Sequence, residues 1–215
     1  MENKITYAEE IIQKIKQINQ KEEDIYNIEN DINNGFVVVK YKKLDIEEKE
    51  LLDGAITMLM PKEFQIMEEE LAEIKYPGED KPDYIYTNED TTVNITFTIE
   101  DSGEIDNEEI EEVKDILAKQ MQRLHPASKI EDSQTIQTGE KNISFFSYDL
   151  PLIDGDIYNL MFFMELKGQL LMGTFNCSIY QKKQYKPIIQ QILMTIKEPS
   201  NHLEEKTEEK GQKDR

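Results

Sequence analysis

The amino-acid sequence predicts an α+β fold: an α/β/α sandwich in which helices flank a central antiparallel, strongly twisted sheet of about six strands, plus an N-terminal amphipathic helix. Three observations predict this fold. Residues 157–180 have the pattern of a β-hairpin, residues 92–99 alternate between apolar and polar side chains, and residues 108–124 have helical periodicity. Strands with one polar face are typical of antiparallel sheets, whereas parallel strands in doubly wound folds are apolar on both faces.

The chain divides into three predicted parts. Residues 1–35 are expected to form the N-terminal amphipathic helix, and residues 36–198 a single α+β domain. Residues 199–215 are charged and almost without apolar side chains, so we expect a disordered tail. A chain of 215 residues is long enough for one such domain with a sizeable core.

The N-terminal helix is predicted over residues 5–33. Thr6 and Glu9 have the spacing of a capping box. The apolar residues of this segment recur on one narrow stripe: Ala8, Ile11, Ile15, Ile18, Ile25 and Ile32. Such a stripe either lies on the chain's own domain or needs a partner helix, which would make it a docking helix or the interface of a homodimer.

The first half of the domain is predicted to be mostly strands. The expected order is a strand at 36–44, a charged edge or loop at 45–49, a turn at Asp53-Gly54, a strand at 55–60, a loop and short helix within 62–77, and a hairpin of 84–87 with 92–99.

The second half begins with the clearest helix, at residues 108–124. Asp106 and Asn107 are its predicted caps, acidic residues crowd its first turn and Pro126 ends it. The expected order after it is two strands at 129–137 and 142–150, the hairpin at 157–180, and an amphipathic helix at 185–197.

The hairpin has one face that is entirely apolar or glycine. Gly168 supplies the turn, with a two-residue loop at either Lys167-Gly168 or Gly168-Gln169. By strand parity the apolar face carries Leu160, Phe162, Met164, Leu166, Leu171, Gly173, Phe175, Cys177 and Ile179. We expect this face to be buried under the helices at 108–124 and 185–197.

The opposite face of the sheet is the predicted partner-binding surface. The same parity places six apolar and aromatic side chains on it: Phe146, Tyr148, Met161, Phe163, Leu170 and Met172. Either another layer covers them, most simply the N-terminal helix through Ile11, Ile15 and Ile18, or they form an exposed apolar patch of the kind that marks a binding site. Under the second alternative the N-terminal helix is a neighbouring wall or a lid, and deleting residues 1–34 should leave a folded domain with altered partner binding.

Catalytic and metal-binding patterns are absent from the sequence. The lone Cys177 and the two histidines, His125 and His202, have no companion at ligand or diad spacing, and there is no glycine-rich phosphate loop. We therefore expect no catalytic residues, no cofactor and no metal site.

The charge is strongly negative. Lys and Arg number 25 against 45 Asp and Glu, a formal net charge of −20, which disfavours binding to nucleic acid and to anionic membranes. Residues 45–90 contain 15 acidic and 4 basic side chains, and residues 100–115 contain 9 and 1. These segments are either a solvated surface or a site for a basic partner. With no signal-peptide pattern and no apolar run long enough to span a bilayer, we expect a cytoplasmic protein without membrane insertion.

The run Leu51-Leu52-Asp53-Gly54-Ala55-Ile56-Thr57-Met58-Leu59-Met60-Pro61-Lys62-Glu63-Phe64 resembles the opening strand of the superfamily that contains PsbP, DcrB and the Ran-binding factor Mog-one. The later order of hairpin, long helix, strands and C-terminal helix is also similar, and the resemblance covers about residues 45–198. It implies a binding module, since members of that group act mostly in this way and share no catalytic residues.

Three functions are compatible with the sequence. The first is a non-catalytic, acidic protein-binding module, such as an adaptor or a secretion-type chaperone, that holds an apolar segment of a protein partner. The alternative is an inhibitor or immunity-type protein that neutralises a basic partner through its acidic N-terminal half. The third is an enzyme of unrecognised type.

Overall fold

A computed structural model of the chain describes residues 10–14, 16, 29–101 and 103–199. The smaller of its two sheets contains β1 (Phe36–Val39), β2 (Lys42–Leu51) and β3 (Ile56–Pro61). The larger sheet contains β4 (Gln65–Ile66), β5 (Tyr84–Thr87), β6 (Val93–Glu100), β7 (Ile130–Thr138), β8 (Lys141–Leu150), β9 (Ile157–Leu166) and β10 (Gln169–Ser178). The strand orders are β1-β2-β3 and β4-β5-β6-β10-β9-β8-β7, with antiparallel pairing.

Helices follow three of these strands: α1 (Glu69–Lys75) after β4, α2 (Ile110–Leu124) after β6, and α3 (Lys182–Leu193) after β10. The predicted α+β class, with an antiparallel sheet flanked by helices, is confirmed. The sheet has seven strands rather than about six, and the second, three-stranded sheet is an addition that the sequence did not predict.

The β9–β10 hairpin turns at Lys167 and Gly168. Their φ angles of 53° and 82° are both positive, as a two-residue type I′ turn requires. Leu166 pairs with Gln169, and the register runs without a break to Ser178. Of the two turn positions that the sequence allowed, the chain uses Lys167-Gly168.

The apolar face of this hairpin lies in the main core, as predicted. Leu160, Phe162, Met164, Leu171, Phe175 and Cys177 are all buried there. α3 packs on this face through Ile188, Ile189 and Ile192, together with Met58 and Met60 from β3.

α2 lies on the opposite face of the sheet, so the prediction that both helices cover the same face is wrong for α2. Its buried Ile110 and Ala118 pack against Phe146 and Phe163. The physical reason is space, because the smaller sheet occupies the area beside α3 on the first face.

Of the two alternatives predicted for residues 45–49, an edge or a loop, the loop is wrong. These residues lie in β2, which pairs with β1 through Lys42–Asp45 and with β3 through Ile46–Leu51, so that residues 46–49 are paired on one side, as in an edge. Their charges are tolerated because Asp45 and Glu48 are exposed and because Lys49 Nζ donates to the main-chain oxygen of Lys62 at 2.9 Å.

The predicted N-terminal helix is too long at its C-terminal end. Residues 10–14 and 16 are helical and exposed, but residues 29–31 are not helical and Ile32–Asn34 form a short 3₁₀ helix. Asp31 caps this turn and Gly35 closes it with a φ angle of 76°. Ile32, only 2% exposed, belongs to the main core rather than to the stripe of the predicted helix.

Two further predictions concern parts of the chain outside the described residues. Ile15 and Ile18, both on the predicted stripe, are not among the residues whose side chains the structure describes, and neither is the predicted tail from residue 200 onward. Within the described ranges, no helix has the length and apolar character needed to cross a membrane.

Candidate functional site

Among the described residues, α2 forms a layer over part of the predicted partner-binding face. Phe146, Tyr148 and Phe163 are buried beneath it, and the rings of Phe146 and Phe163 stack at a centroid distance of 5.8 Å. Ile11 is 41% exposed and does not belong to this buried cluster. α2 suits this position because its apolar residues recur at helical spacing: Ile110, Val113, Leu117 and Met121.

The accessible part of this face follows strand β10. Leu170, Met172, Thr174 and Asn176 are alternate residues and so share a face, and all four are half-buried. They extend over about 20 Å, at the usual rise of an antiparallel strand. We call this line of four side chains the β10 trough. Met161, the remaining predicted site residue, is the β9 neighbour of Thr174 and is also half-buried.

The Leu170 end of the β10 trough opens into a groove beside α2. The groove has a volume of about 390 Å³ and is lined by Gly103, Glu104, Ile105, Glu109, Glu112, Val113, Ile116 and Leu170. Ile116 is 46% exposed, although it is a large apolar residue. The main-chain N–H of Ile105 donates to the oxygen of Gly168 at 2.9 Å, which fixes the loop wall against the hairpin turn.

The rim of this groove is acidic. Glu104, Glu109 and Glu112 are exposed on it, and they belong to the segment 100–115 with its 9 acidic residues and 1 basic residue. That basic residue, Lys114, is buried and directed elsewhere, donating to Ser133 Oγ at 3.0 Å and pairing with Asp115 at 2.8 Å. Lys114 therefore leaves the rim carboxylates without a neutralising neighbour from their own segment.

The Asn176 end of the β10 trough is polar. It opens into a second depression of about 390 Å³, lined by Lys75, Tyr76, Asp80, Pro82, Asn94, Thr96, Ile157, Asn159, Thr174 and Asn176. Asn94 and Asn159 are the direct register neighbours of Asn176 on β6 and β9, so the three carboxamides form one row across the sheet. Burial raises the pKa of the Tyr76 phenol, which stays protonated beside this row at neutral pH.

The rest of the described chain is less suited to binding or catalysis. A cavity of about 240 Å³ near Tyr185 is bordered by charges that neutralise one another, since Lys42 pairs with Glu63 at 2.6 Å and with Glu89 at 2.7 Å. Burial raises the pKa of Cys177 to about 12, so this sulfur remains a thiol at neutral pH and is a poor nucleophile. Within the described ranges, no cluster of His, Cys, Asp and Glu is arranged to hold a metal ion.

Sequence reasoning missed Asn159 and the α2 wall of the groove. The signal for Asn159 was present in the hairpin register, because a turn at Lys167-Gly168 places Asn159 opposite Asn176. The signal for Ile116 was weaker, since its exposure depends on which face of the sheet α2 covers.

Comparisons with known proteins bear on the fold. No protein-family model matches the sequence, and the search of curated proteins finds no match. The solution structure of cyanobacterial PsbP (CyanoP) from Synechocystis sp. PCC 6803 is similar with a TM-score of 0.51 at 10% identity, over 72% of this chain and 92% of that one. The Ran-binding protein Mog1p of Saccharomyces cerevisiae has a TM-score of 0.47 at 14% identity, over 72% and 95% of the two chains.

The chain therefore has the PsbP-like fold that the run 51–64 predicted. In that run Gly54 turns with a φ angle of 85°, β3 follows and ends at Pro61, and Phe64 is buried. At these identities the likeness describes the fold, and the function has to be argued from the site.

Proposed function

We propose that the chain is a non-catalytic protein-binding module that holds a partner segment in the groove at the Leu170 end of the β10 trough. The segment has apolar side chains next to Lys or Arg. The observation that carries this proposal is the combination of the exposed Ile116 and half-buried apolar residues in the groove with acidic side chains on its rim. We further propose an adaptor or secretion-type chaperone role in the cytoplasm.

The apolar part of the groove supplies affinity. Ile116, Val113 and Leu170 form a concave surface that is open to solvent, and burying apolar area contributes about 25 cal/mol per Å². An apolar side chain of the partner that fills the groove is therefore the expected anchor. This retains Leu170 from the predicted surface and replaces the covered Phe146 and Phe163 with residues of α2.

The acidic rim contributes selectivity for basic segments and a higher association rate. Exposed carboxylates attract a basic segment at long range and raise its association rate, an effect that salt screens. The rim belongs to segment 100–115, where Lys114 is engaged elsewhere. The other acidic segment is less available, since Lys43 pairs with Asp45 at 2.9 Å and Lys42 with Glu63 and Glu89.

The alternative function, an inhibitor or immunity-type protein, differs in what provides affinity. It would depend on charge spread over the acidic N-terminal half, so binding would vanish at several hundred millimolar salt and would be insensitive to the apolar groove. A binding module that uses the groove keeps an apolar contribution at high salt, because screening does not weaken apolar burial.

The test is a fluorescent peptide in which leucines are flanked by lysines, with binding measured by anisotropy over a salt series. Ile116→Asp should weaken binding at least about tenfold, since it removes an apolar contact and places a charge in the groove. Ile74→Asp is the matched control, because Ile74 is an exposed (76%) isoleucine on α1 that does not line the groove. Equal binding by both variants would refute the proposal.

The rim is tested separately with Glu112→Gln and Glu104→Gln. These substitutions should weaken peptide binding at low salt and have little effect at high salt. Glu109 is unsuitable for this purpose, because its carboxylate accepts from the Asp106 N–H at 3.0 Å in the capping box of α2. Glu70→Gln, on the exposed surface of α1, is the control for the loss of one charge.

A further inference from the structure

The polar depression at the Asn176 end of the β10 trough contains a hydrogen-bonded row of side chains. Thr87 Oγ1 donates to Asn94 Oδ1 at 2.7 Å, Asn94 Nδ2 to Asn176 Oδ1 at 2.9 Å, and Asn176 Nδ2 to the Tyr76 hydroxyl at 3.3 Å. Since neighbouring strands lie about 4.8 Å apart, the row presents amide groups at that repeat across the sheet.

Asn159 extends this row but does not take part in its hydrogen bonds. It lies opposite Asn176, is only 5% exposed, and its Nδ2 has no hydrogen-bond partner within the described ranges. Buried polar groups are nearly always paired, and leaving one unpaired is unfavourable. Asn159 also lines the depression. Asn159 thus has unused hydrogen-bonding capacity at the wall of the depression.

The lining of the depression defines what that molecule must offer. Three carboxamides and two threonine hydroxyls dominate it, and the two charged residues, Lys75 and Asp80, have opposite sign. The complementary group is neutral and both donates and accepts hydrogen bonds. A peptide group, with one N–H and one C=O, has this chemistry.

The depression and the proposed groove lie toward opposite ends of one face of β10. Thr174 and Met172 connect Asn176 to Leu170 along one face of β10, and all of them are half-buried. The distance of about 20 Å corresponds to about six residues of extended chain. One segment held by its apolar side chains at Leu170 can therefore reach Asn159 with its main chain.

We infer that Asn159 and Asn176 bind main-chain amide groups of the same partner segment, which lies extended along the β10 trough. This inference rests on the proposed function and adds a second kind of recognition to it. The groove beside α2 selects apolar and basic side chains, whereas the amide row binds peptide groups whatever their side chains. The bound segment is therefore extended. At one end its side chains must be apolar and basic, and at the other end its side chains can vary.

The experiment compares a short peptide with longer ones on the full-length protein. The short peptide carries only the leucines and lysines, and the long ones add an uncharged Gly/Ser extension at its N- or C-terminus. A second pair of long peptides has the amide nitrogens of the extension methylated. One extension should tighten binding by about tenfold, which is the effect of one or two hydrogen bonds, and its methylated form should give no gain.

Asn159→Leu is the matched variant, because it replaces the amide with an apolar group of similar size. This variant should abolish the gain in affinity from the extension and leave the affinity for the short peptide unchanged. The two peptides (short and long) and the two proteins (original and variant) then form a double-mutant cycle. In parallel, the side-chain amide NMR signals of Asn159 and Asn176 should shift with the long peptide and not with the short one.

The outcomes separate the two proposals. Binding of the short peptide without any gain from either extension, or a gain that survives Asn159→Leu or N-methylation, overturns the amide row as a binding site and leaves the groove intact. Absence of binding by every peptide overturns the groove and the inference that rests on it.

Discussion

Gly173 and Phe162 pair across β10 and β9, and this pair shows how closely the main core is packed. Phe162 is fully buried, and a Cβ atom added to Gly173 would lie 2.0 Å from its Cζ atom. The ring thus occupies the place of a side chain on the neighbouring strand. The ring also packs edge-on against Phe97 at a centroid distance of 5.7 Å.

Gly173→Ala should reduce the free energy of unfolding by about 1–3 kcal/mol, because the methyl group forces the Phe162 ring out of its position. Phe162→Ala should cost about 3–5 kcal/mol through cavity formation. The two together should cost less than their sum, since the alanine methyl then enters space that the ring has left. Urea unfolding of the three variants measures this, and strictly additive losses would contradict the packing argument.

At the level of elements, β7 carries an irregularity next to α3. The register between β7 and β8 shifts between Glu131 and Gln134, and Asp132 there has a φ angle of 45°. Its carboxylate pairs with Lys186 Nζ of α3 at 2.5 Å and accepts from Ser147 Oγ at 2.9 Å. Burial acts to raise the pKa of Asp132, but these two partners outweigh it and the pKa is lowered.

A lowered pKa means that Asp132 stabilises the fold in its charged form. Its contribution is complete above the unfolded-state pKa of about 3.9 and is lost as the pH falls through the lower folded-state value. Asp132→Asn should therefore lower stability at neutral pH and reduce the pH dependence of stability in the acid range. Thermal unfolding between neutral pH and strong acid measures both, with Asp154→Asn, at an exposed turn position, as control. An unchanged acid slope would contradict this role.

The elements also show what the sequence could and could not predict. Periodicity identified the apolar faces of β9, β10, α2 and α3, because side-chain spacing is a local property. It could not decide which sheet face α2 covers, since the stripe of Ile110, Val113 and Leu117 fits either. The charges of residues 45–49 left an edge strand and a loop as alternatives, because strand pairing depends on the main chain and not on those side chains.

Prediction of the candidate site was limited in the same way, because side-chain spacing is local and the placement of whole elements is not. Leu170, Met172 and Asn176 could be assigned to one face from alternation alone. Their accessibility to solvent could not be predicted from alternation, because it depends on the position of α2 and on which part of β10 that helix leaves uncovered. Asn159 required the exact turn position, which the sequence left open between two choices.

For the whole molecule, each end of the described domain is hydrogen-bonded to the body of the domain, the first end to α3 and the second to β3. Ile32 N donates to Gln191 Oε1 at 3.0 Å, and Gln191 Nε2 donates to the main-chain oxygen of Asn30 at 2.7 Å. At the other end, Thr57 and Lys197 exchange main-chain hydrogen bonds of 2.8 and 2.9 Å. We therefore propose that the domain begins near residue 29 instead of residue 36.

Truncation from the N-terminus tests this boundary. Deleting residues 1–28 should leave the Tm unchanged, because Asn30 is the first residue of the continuously described chain that hydrogen-bonds to Val38 and Gln191. Deleting residues 1–34, the truncation that the sequence suggested, also removes buried Ile32 and should lower the Tm by several degrees, as a loss of about 2 kcal/mol or more does in a domain of this size. Ile32→Ala in the full chain should reproduce most of that loss. Sedimentation of the same 1–28 deletion tests the predicted homodimer. A dimer held by the N-terminal helix would become monomeric, while the Tm would stay unchanged. Equal Tm values for the two truncations would contradict the assignment of Ile32 to the core.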